Sequence, residues 1–150
     1  MKTWLFTWNP SRWAWDDRYN GYIEMKSQIS QTGRSYRTWS CGNNKSIKKG
    51  DRVFLIRLGV EPKGIVASGY AATDVFEGPH WDYERDRLGM RCRRIFIEFD
   101  RIQDPVSDNM IMMDTLKGIH QSYKWSSQTS GIEIPGHIAE ELELIWKRTI

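Results

Sequence analysis

The sequence predicts an α+β domain: a small, curved, mixed β-sheet or open barrel with flanking helices. Strand-like segments outnumber helix-like ones, and Gly- and Pro-bearing turn signals join neighbouring strand segments. At 150 residues the chain fits one domain with one core, spanning residues 1–150.

Taken in order, Lys2 to Trp8 alternates enough to form an opening strand, and Asn9-Pro10 breaks it. Ser11 to Asn20 is an aromatic-rich loop or short helical turn holding Trp13 and Trp15. Gly21 to Gln31 carries Tyr22, Ile23, Met25 and Ile29 at the spacing of a short helix ended by Gly33. Arg37 to Cys41 is a short strand or a turn, and Lys49-Gly50-Asp51 is a turn signal. Val53 to Leu58 is a buried strand, rich in β-branched and aromatic residues. After Glu61-Pro62-Lys63-Gly64, Ile65 to Phe76 returns as one long strand with Gly69 as a bulge or point of close approach. Gly78 to Met90 is a loop, and Arg91 to Ile102 is a strand with Ile95, Ile97 and Phe99 on one face. Asn109 to Ile119 has the spacing of a short helix, and Tyr123 to Ile134 is a polar loop. Pro135 stands where a first helical turn tolerates it. Ile138, Leu142, Ile145 and Trp146 then mark an amphipathic C-terminal helix.

Hydrophobic content of 39% and charged content of 27% are those of a soluble globular protein. No run approaches the roughly 20 apolar residues of a membrane span, and the start is too soon polar for a secretory signal. The expected setting is therefore the cytoplasm, with no membrane partner. Cys41 and Cys92 lack metal-ligand spacing and are expected to be free thiols. The net charge is only +3, but it is unevenly spread. Arg34, Arg37, Lys45, Lys48, Lys49, Arg52, Arg57 and Lys63 crowd one stretch, and Arg85, Arg87, Arg91, Arg93 and Arg94 a second. Glu140, Glu141 and Glu143 make the C-terminal part acidic. Such asymmetry suits a basic face that meets phosphates, although solvated charge on loops and edges produces the same pattern.

Nothing in the chain marks a catalyst. His80, His120 and His137 fall in no nucleophile motif, and the Ser-rich segment 125–131 lacks an elbow signature. There is no phosphate-binding glycine loop and no metal-ligand spacing, so neither a cofactor nor a metal is expected. Two carboxylates brought together by the fold remain open as an alternative. The expectation is a binding domain rather than an enzyme.

Eight tryptophans are more than a core needs, because each buried indole N–H wants a partner. Trp4 and Trp146 sit in periodic apolar segments and read as core. Trp8, Trp39, Trp81 and Trp125 sit where regular segments end, among polar residues. Aromatic rings beside Lys and Arg are how a protein builds a slot for a planar base. The pocket assignment is strongest for Trp39 and Trp81.

The ordered features resemble the EVE domains of the PUA-like superfamily, relatives of the YTH readers of methylated adenine. The stretch Lys2-Thr-Trp-Leu-Phe-Thr-Trp-Asn-Pro10 is similar to their opening strand and turn, and Thr38-Trp39-Ser40-Cys41-Gly42 stands where they place a first cage aromatic. Ile47 to Leu55 and Pro62 to Ala67 resemble their central hairpin. Pro79-His80-Trp81-Asp82 resembles a loop that usually reads His-Tyr-Asp, and Gln128-Thr-Ser-Gly-Ile132 a late Gln/Ser loop. The Trp-Asn-Pro turn and the Trp in the His-Trp-Asp loop are particularly similar to EVE modules of modification-dependent restriction systems.

The resemblance implies a PUA-like fold and a bacterial or archaeal reader that flips a modified base into an aromatic cage. Modified cytosine (5-methyl or 5-hydroxymethyl) is favoured, with N6-methyladenine as an alternative mark. Trp39 and Trp81 would be the walls and Trp8 the floor. Ser40, Asn9, Gln128 and Ser130 would read the base edge, as would backbone groups at 40–42. Arg12, Lys45, Lys48, Lys49, Arg91 and Lys124 would hold phosphates, with Arg12 or an aromatic of 13–15 as a wedge. No HNH-type segment or P-loop is present, so any cleavage is expected from a fused or partner nuclease or motor domain. Competing expectations are a YTH-like reader of modified RNA, a PUA-like nuclease, and a small-molecule or protein-binding module.

Overall fold

Alternation along the chain divides the apolar residues between two faces of one sheet. The computed structural model describes residues 1–12, 21–80, 82–127 and 129–149. Eight strands and four helices are present among them: β1 (Thr3–Trp8), α1 (Tyr22–Thr32), β2 (Ser35–Ser40), β3 (Arg52–Arg57), β4 (Gly64–Ala71), β5 (Phe76–Pro79), α2 (Tyr83–Arg87), β6 (Arg91–Ile102), β7 (Ile111–Met112), α3 (Met113–Ile119), β8 (Ile132–Ile134) and α4 (Gly136–Arg148). The strands form one mixed, open sheet in the order β2-β6-β4-β3-β1-β8, with β5 added to β6 and β7 to β4. The β1–β3 pair is parallel and every other pair is antiparallel.

Because successive side chains point to opposite faces, β1, β3 and β4 each feed both cores. Trp4, Phe6, Trp8, Val53, Leu55, Ile95, Ile97 and Phe99 pack on the concave side with Met25 of α1. Leu5, Phe54, Ile56 and Ile65 pack on the other side under α3 and α4, against Leu116, Ile138, Leu142 and Trp146. The sheet curls until its ends approach: Trp39 Nε1 of β2 donates to Thr7 O of β1 at 3.0 Å. The result is an open barrel with a seam between β1 and β2.

Two polar links, centred on the buried Arg52 and Asp51, fasten the sheet. Arg52 on β3 donates to Asp100 of β6 (2.9 Å) and Glu143 of α4 (2.6 Å). Asp100 also accepts from Ser68 Oγ, which accepts from Trp146 Nε1. At the other end Asp51 accepts from Trp4 Nε1 (2.8 Å) and from the amides of Lys48 and Lys2. Burial alone would raise the Asp51 carboxyl, but these donors outweigh it and the net pKa lies below the ordinary value. A depressed folded pKa adds stability that is complete above the unfolded value and is lost as pH falls through the folded one. Asp51→Ala is therefore expected to cost about 1–3 kcal/mol at neutral pH, by orphaning the buried indole N–H. In urea titrations the difference from the parent chain should shrink below about pH 4; a pH-independent difference would show that the carboxylate charge plays no part.

Several expected elements change once neighbours are in place. The strand expected over Ile65 to Phe76 stops at Ala71 and restarts as β5, because Asp74 turns the chain by accepting from the Lys49 amide (2.9 Å). Gly69 is a point of close approach as anticipated: a Cβ there would lie 2.4 Å from Glu98 O, where the β4–β6 register shifts. The 78–90 loop contains α2, whose first turn is capped by the Asp82 side chain accepting from Glu84 N. The helix expected over 109–119 begins as β7, pairing Ile111 with Ile65, and turns helical at Met113. The loop expected over 123–134 ends as β8, recruited by the free edge of β1. Pro135 is the N-cap of α4 rather than its first helical residue.

Candidate base-binding cavity at the sheet seam

A cavity of about 490 Å³ opens where the sheet fails to close. Each wall has a local cause. Pro10 has no N–H for a ladder, so β1 ends after Trp8. The chain then turns, with Arg12 N donating to Asn9 O and Asn9 Oδ1 accepting from the Ser11 amide. That turn brings Asn9 and Arg12 to the rim. On β2, alternation sends Trp39 inward while Thr38 and Ser40 face the mouth.

The opposite lip is interlocked with β2. Gly42 has φ 60°, and a Cβ there would lie 3.1 Å from Ser130 O. Gly131 has φ 79°, and a Cβ there would lie 2.8 Å from Cys41 O. Only glycine accepts both the turn and the approach. Asn44 Nδ2 donates to Gly131 O, Gly131 N to Leu5 O, and Thr7 N to Ser130 Oγ. Ser130 is thus fixed on the edge of β1, and its hydroxyl still carries a donor for a ligand.

The floor is indole. Trp8 and Trp39 are only 4% and 5% exposed, yet both line the cavity. Trp39 leans edge-on to Phe99 (6.2 Å). Trp8 tilts against Tyr22 (5.8 Å), with the Arg57 guanidinium over its ring at 5.3 Å. Since Trp39 Nε1 is committed to Thr7 O, this residue offers ring surface rather than an N–H. The remaining wall is Arg94 on β6, held by donation to Thr38 Oγ1 and Pro79 O, both at 3.1 Å.

The cavity therefore joins two indoles to two guanidiniums, hydroxyls and side-chain amides. No Asp, Glu, His, Cys or Lys lines it among the described residues. It can bind a flat, polar-edged ring; among the described residues that line it, no side chain is suited to general acid–base work. Cys41, behind it, is buried, which pushes its thiol up to about 11. Among the described residues no group of His, Cys, Asp or Glu is arranged to hold a metal ion, and no helix is long and apolar enough to cross a membrane.

Of the residues expected from sequence to form the site, the structure brings Trp8, Asn9, Arg12, Trp39, Ser40 and Ser130 round one cavity. Trp81 and Gln128 lie outside the described residues, as do Trp13 and Trp15. Lys45 lines a neighbouring depression that shares Ser130 and Asn43 with the main one. Arg91 lines another, with Ser40, Gly42, Asn43, His80 and Arg93. Other expected residues lie away from the cavity. Lys48 and Lys49 flank Asp51 at the start of β3, which is level with the start of β1. Trp8 is at the far end, about 17 Å away at 3.3 Å per residue. Lys124 lines a separate hollow beside α3, with Lys117 and Tyr123. Trp125 is core, 2% exposed under Tyr123. Cys41 N is spent on Arg93 O, so the 40–42 backbone offers less than expected.

Arg94, Thr38 and Asn43 were not expected. The only sequence signal for Arg94 was its place in the Arg91–Arg94 cluster, on the face opposite Ile95.

No protein-family model and no curated protein matches the sequence. Solved structures do match in fold. Protein PSPTO5229 from Pseudomonas syringae superposes with a TM-score of 0.64 at 15% identity, covering 95% of this chain and 98% of that one. Human THYN1, solved in complex with 5-methylcytosine containing DNA, gives 0.63 at 14% identity, with 97% of each chain covered. The ASCH protein from Zymomonas mobilis gives 0.55 at 12% identity, covering 96% and 95%. The shared architecture is PUA-like: an α+β fold whose mixed, open sheet is flanked by helices.

Proposed function

We propose that this protein binds DNA and takes one modified nucleobase, 5-methylcytosine or 5-hydroxymethylcytosine, into the seam cavity. The observation that carries the proposal is the pairing of indole surface from Trp8 and Trp39 with Arg12, Arg94, Ser40 and Ser130 round one opening. A base needs an apolar slot for its faces and donors or acceptors for its edge. The fold shared with human THYN1, bound there to 5-methylcytosine containing DNA, supports the same ligand class.

Extruding a base costs a few kcal/mol, and aromatic contact returns roughly 1–3 kcal/mol. A methyl group adds only about 0.8 kcal/mol by burial, close to fourfold in affinity. Discrimination beyond that has to come from cavity shape and from edge hydrogen bonds. A hydroxymethyl group needs a polar partner, and Ser40, Ser130, Asn9 and Asn43 surround the space. Arg12, Arg91 and Lys45 stand round the rim and its two adjoining depressions, where phosphates would lie. The module would supply specificity to a modification-dependent restriction system in a bacterial or archaeal cytoplasm, with cleavage by a fused or partner domain.

The test is a panel of duplexes differing at one base: cytosine, methylcytosine, hydroxymethylcytosine, adenine and methyladenine. One modified cytosine should bind at least fourfold tighter than cytosine. With about four phosphates neutralised, log K should fall against log salt with a slope near −3.6. Equal affinity across the panel would sink the proposal, and preference for a single-stranded RNA arm would move it to RNA. Specific cleavage products with Mg²⁺ would show an enzyme instead.

A further inference from the structure

We propose that the outward face of β2, β6 and β5 is a stacking platform for the nucleotide next to the cavity-bound base. The inference rests on the cavity being a base site, and extends it to the flanking strand.

Along β6, Ile95, Ile97 and Phe99 point into the core, so Arg94, Phe96 and Glu98 point out. The register carries that face across the sheet: Tyr36, Thr38 and Ser40 oppose Glu98, Phe96 and Arg94, and Phe76 opposes Arg94. Helices α3 and α4 cover the same side over β1, β3 and β4. No described helix covers it over Arg94 to Glu98 of β6, although β6 is an inner strand of the sheet order; α4 reaches the far end of the strand, where Arg101 donates to Trp146 O. Phe96 is consequently 42% exposed and Tyr36 46%. Phe76 and Phe96 lie nearly parallel, with centroids 5.7 Å apart and 25° between planes.

Two observations select a nucleic-acid strand as the occupant. One is continuity: Thr38 and Arg94 line the cavity, Thr38 is the register partner of Phe96, and Arg94 that of Phe76. A chain leaving the cavity across Thr38 meets the phenyl pair at the next position, about 5 Å on. The other is charge. Arg94 is on the face itself, and Arg91 and Arg93 are on the same hairpin. Of the acids on these strands, Glu98 on the face is met by Arg34 at 3.6 Å, Asp100 is met by Arg52, and Glu77 is the register partner of Arg93 on the opposite face. Aromatic rings beside cations on an open sheet suit bases and phosphates, because every base has a π-face to stack.

The experiment measures binding of 5-methyl-2′-deoxycytidine alone and of a single-stranded pentanucleotide centred on it, with the parent chain and Phe96→Ala. The variant should bind the pentanucleotide about tenfold more weakly and the nucleoside equally well. Phe96→Leu, which keeps an apolar β-strand residue but loses the flat ring, should show the same loss, and Phe96→Trp should restore binding. 5-Iodo-2′-deoxyuridine beside the modified base should photocrosslink to a peptide containing Phe96 or Phe76. Unchanged pentanucleotide affinity in both Phe96→Ala and Phe96→Leu overturns the platform and leaves the cavity proposal standing. Failure of the parent chain to bind either ligand removes the cavity proposal, and the platform with it. A concentration-dependent dimer that Phe96→Ala abolishes would assign the face to a second copy and overturn the platform.

Discussion

Trp39→Ala is expected to lower the thermal unfolding midpoint by roughly 6–20 °C, from a loss of about 3–5 kcal/mol at 2–4 °C each for a chain of this size. The indole is 5% exposed, packs on Phe99 and closes the seam through its bond to Thr7 O. Truncation empties part of the concave core and frees β2 from β1. Because the same ring floors the cavity, the variant should also lose its preference for the modified duplex, while keeping weak, salt-sensitive binding to any DNA. Trp39→Phe separates the two roles. It keeps an aromatic surface but leaves Thr7 O without its donor, at about 1–3 kcal/mol. Calorimetry and the duplex panel on both variants decide the matter. If the folded Trp39→Phe protein loses affinity equally for modified and unmodified DNA, Trp39 is a structural residue only.

Arg52→Ala should cost about 3 kcal/mol, or roughly 6–12 °C in unfolding midpoint. The guanidinium is nearly enclosed, joined to Asp100, Glu143 and Gly69 O, and packed 5.0 Å and 4.7 Å from the Phe54 and Tyr70 rings. Its removal leaves two carboxylates facing each other across β6 and α4. Both are partly in water, so the loss should fall at the low end of the range for a broken buried pair. Arg52→Met, which refills the space but not the charge, should recover part of the packing contribution. Denaturant titrations that place Arg52→Ala within 0.5 kcal/mol of the parent, the usual scatter of neutral surface changes, would show the triad to be incidental. DNA binding should be unaffected, because Arg52 does not line the seam cavity.

Much of the fold was legible in the sequence. The β6 boundaries at Arg91 and Ile102, the arrest of α1 at Gly33 and the periodicity of α4 were readable because each depends on local physics: alternation, a left-handed glycine (φ 86°) and a helical apolar stripe. Short elements were not legible. β5, β7 and β8 are four, two and three residues long, and exist because a neighbouring strand edge needs partners. For the cavity, aromatic type and strand-end position pointed to Trp8 and Trp39. Polar residues near them pointed to Asn9, Ser40 and Ser130, whereas Arg12 was expected to hold phosphate or act as a wedge. Lys48 and Lys49 lie away from the cavity because proximity in sequence is not proximity at one end of a sheet. Lys48 and Lys49 follow the Trp39 strand closely, yet the crossover to β3 carries them to the opposite end of β1.

Residue pattern alone determined that this chain is an α+β protein with a curved sheet, an excess of indoles at strand ends and no recognisable catalytic motif. Those are properties of alternation, helical period and residue chemistry, which act over a few positions. Only the tertiary structure decided which strand ends meet, that Arg94 walls the cavity, and that Phe96 stays uncovered. The curl of the sheet and the reach of α3 and α4 settle those contacts. Both arise from packing between residues as distant as Thr7 and Ser130, where no local preference operates.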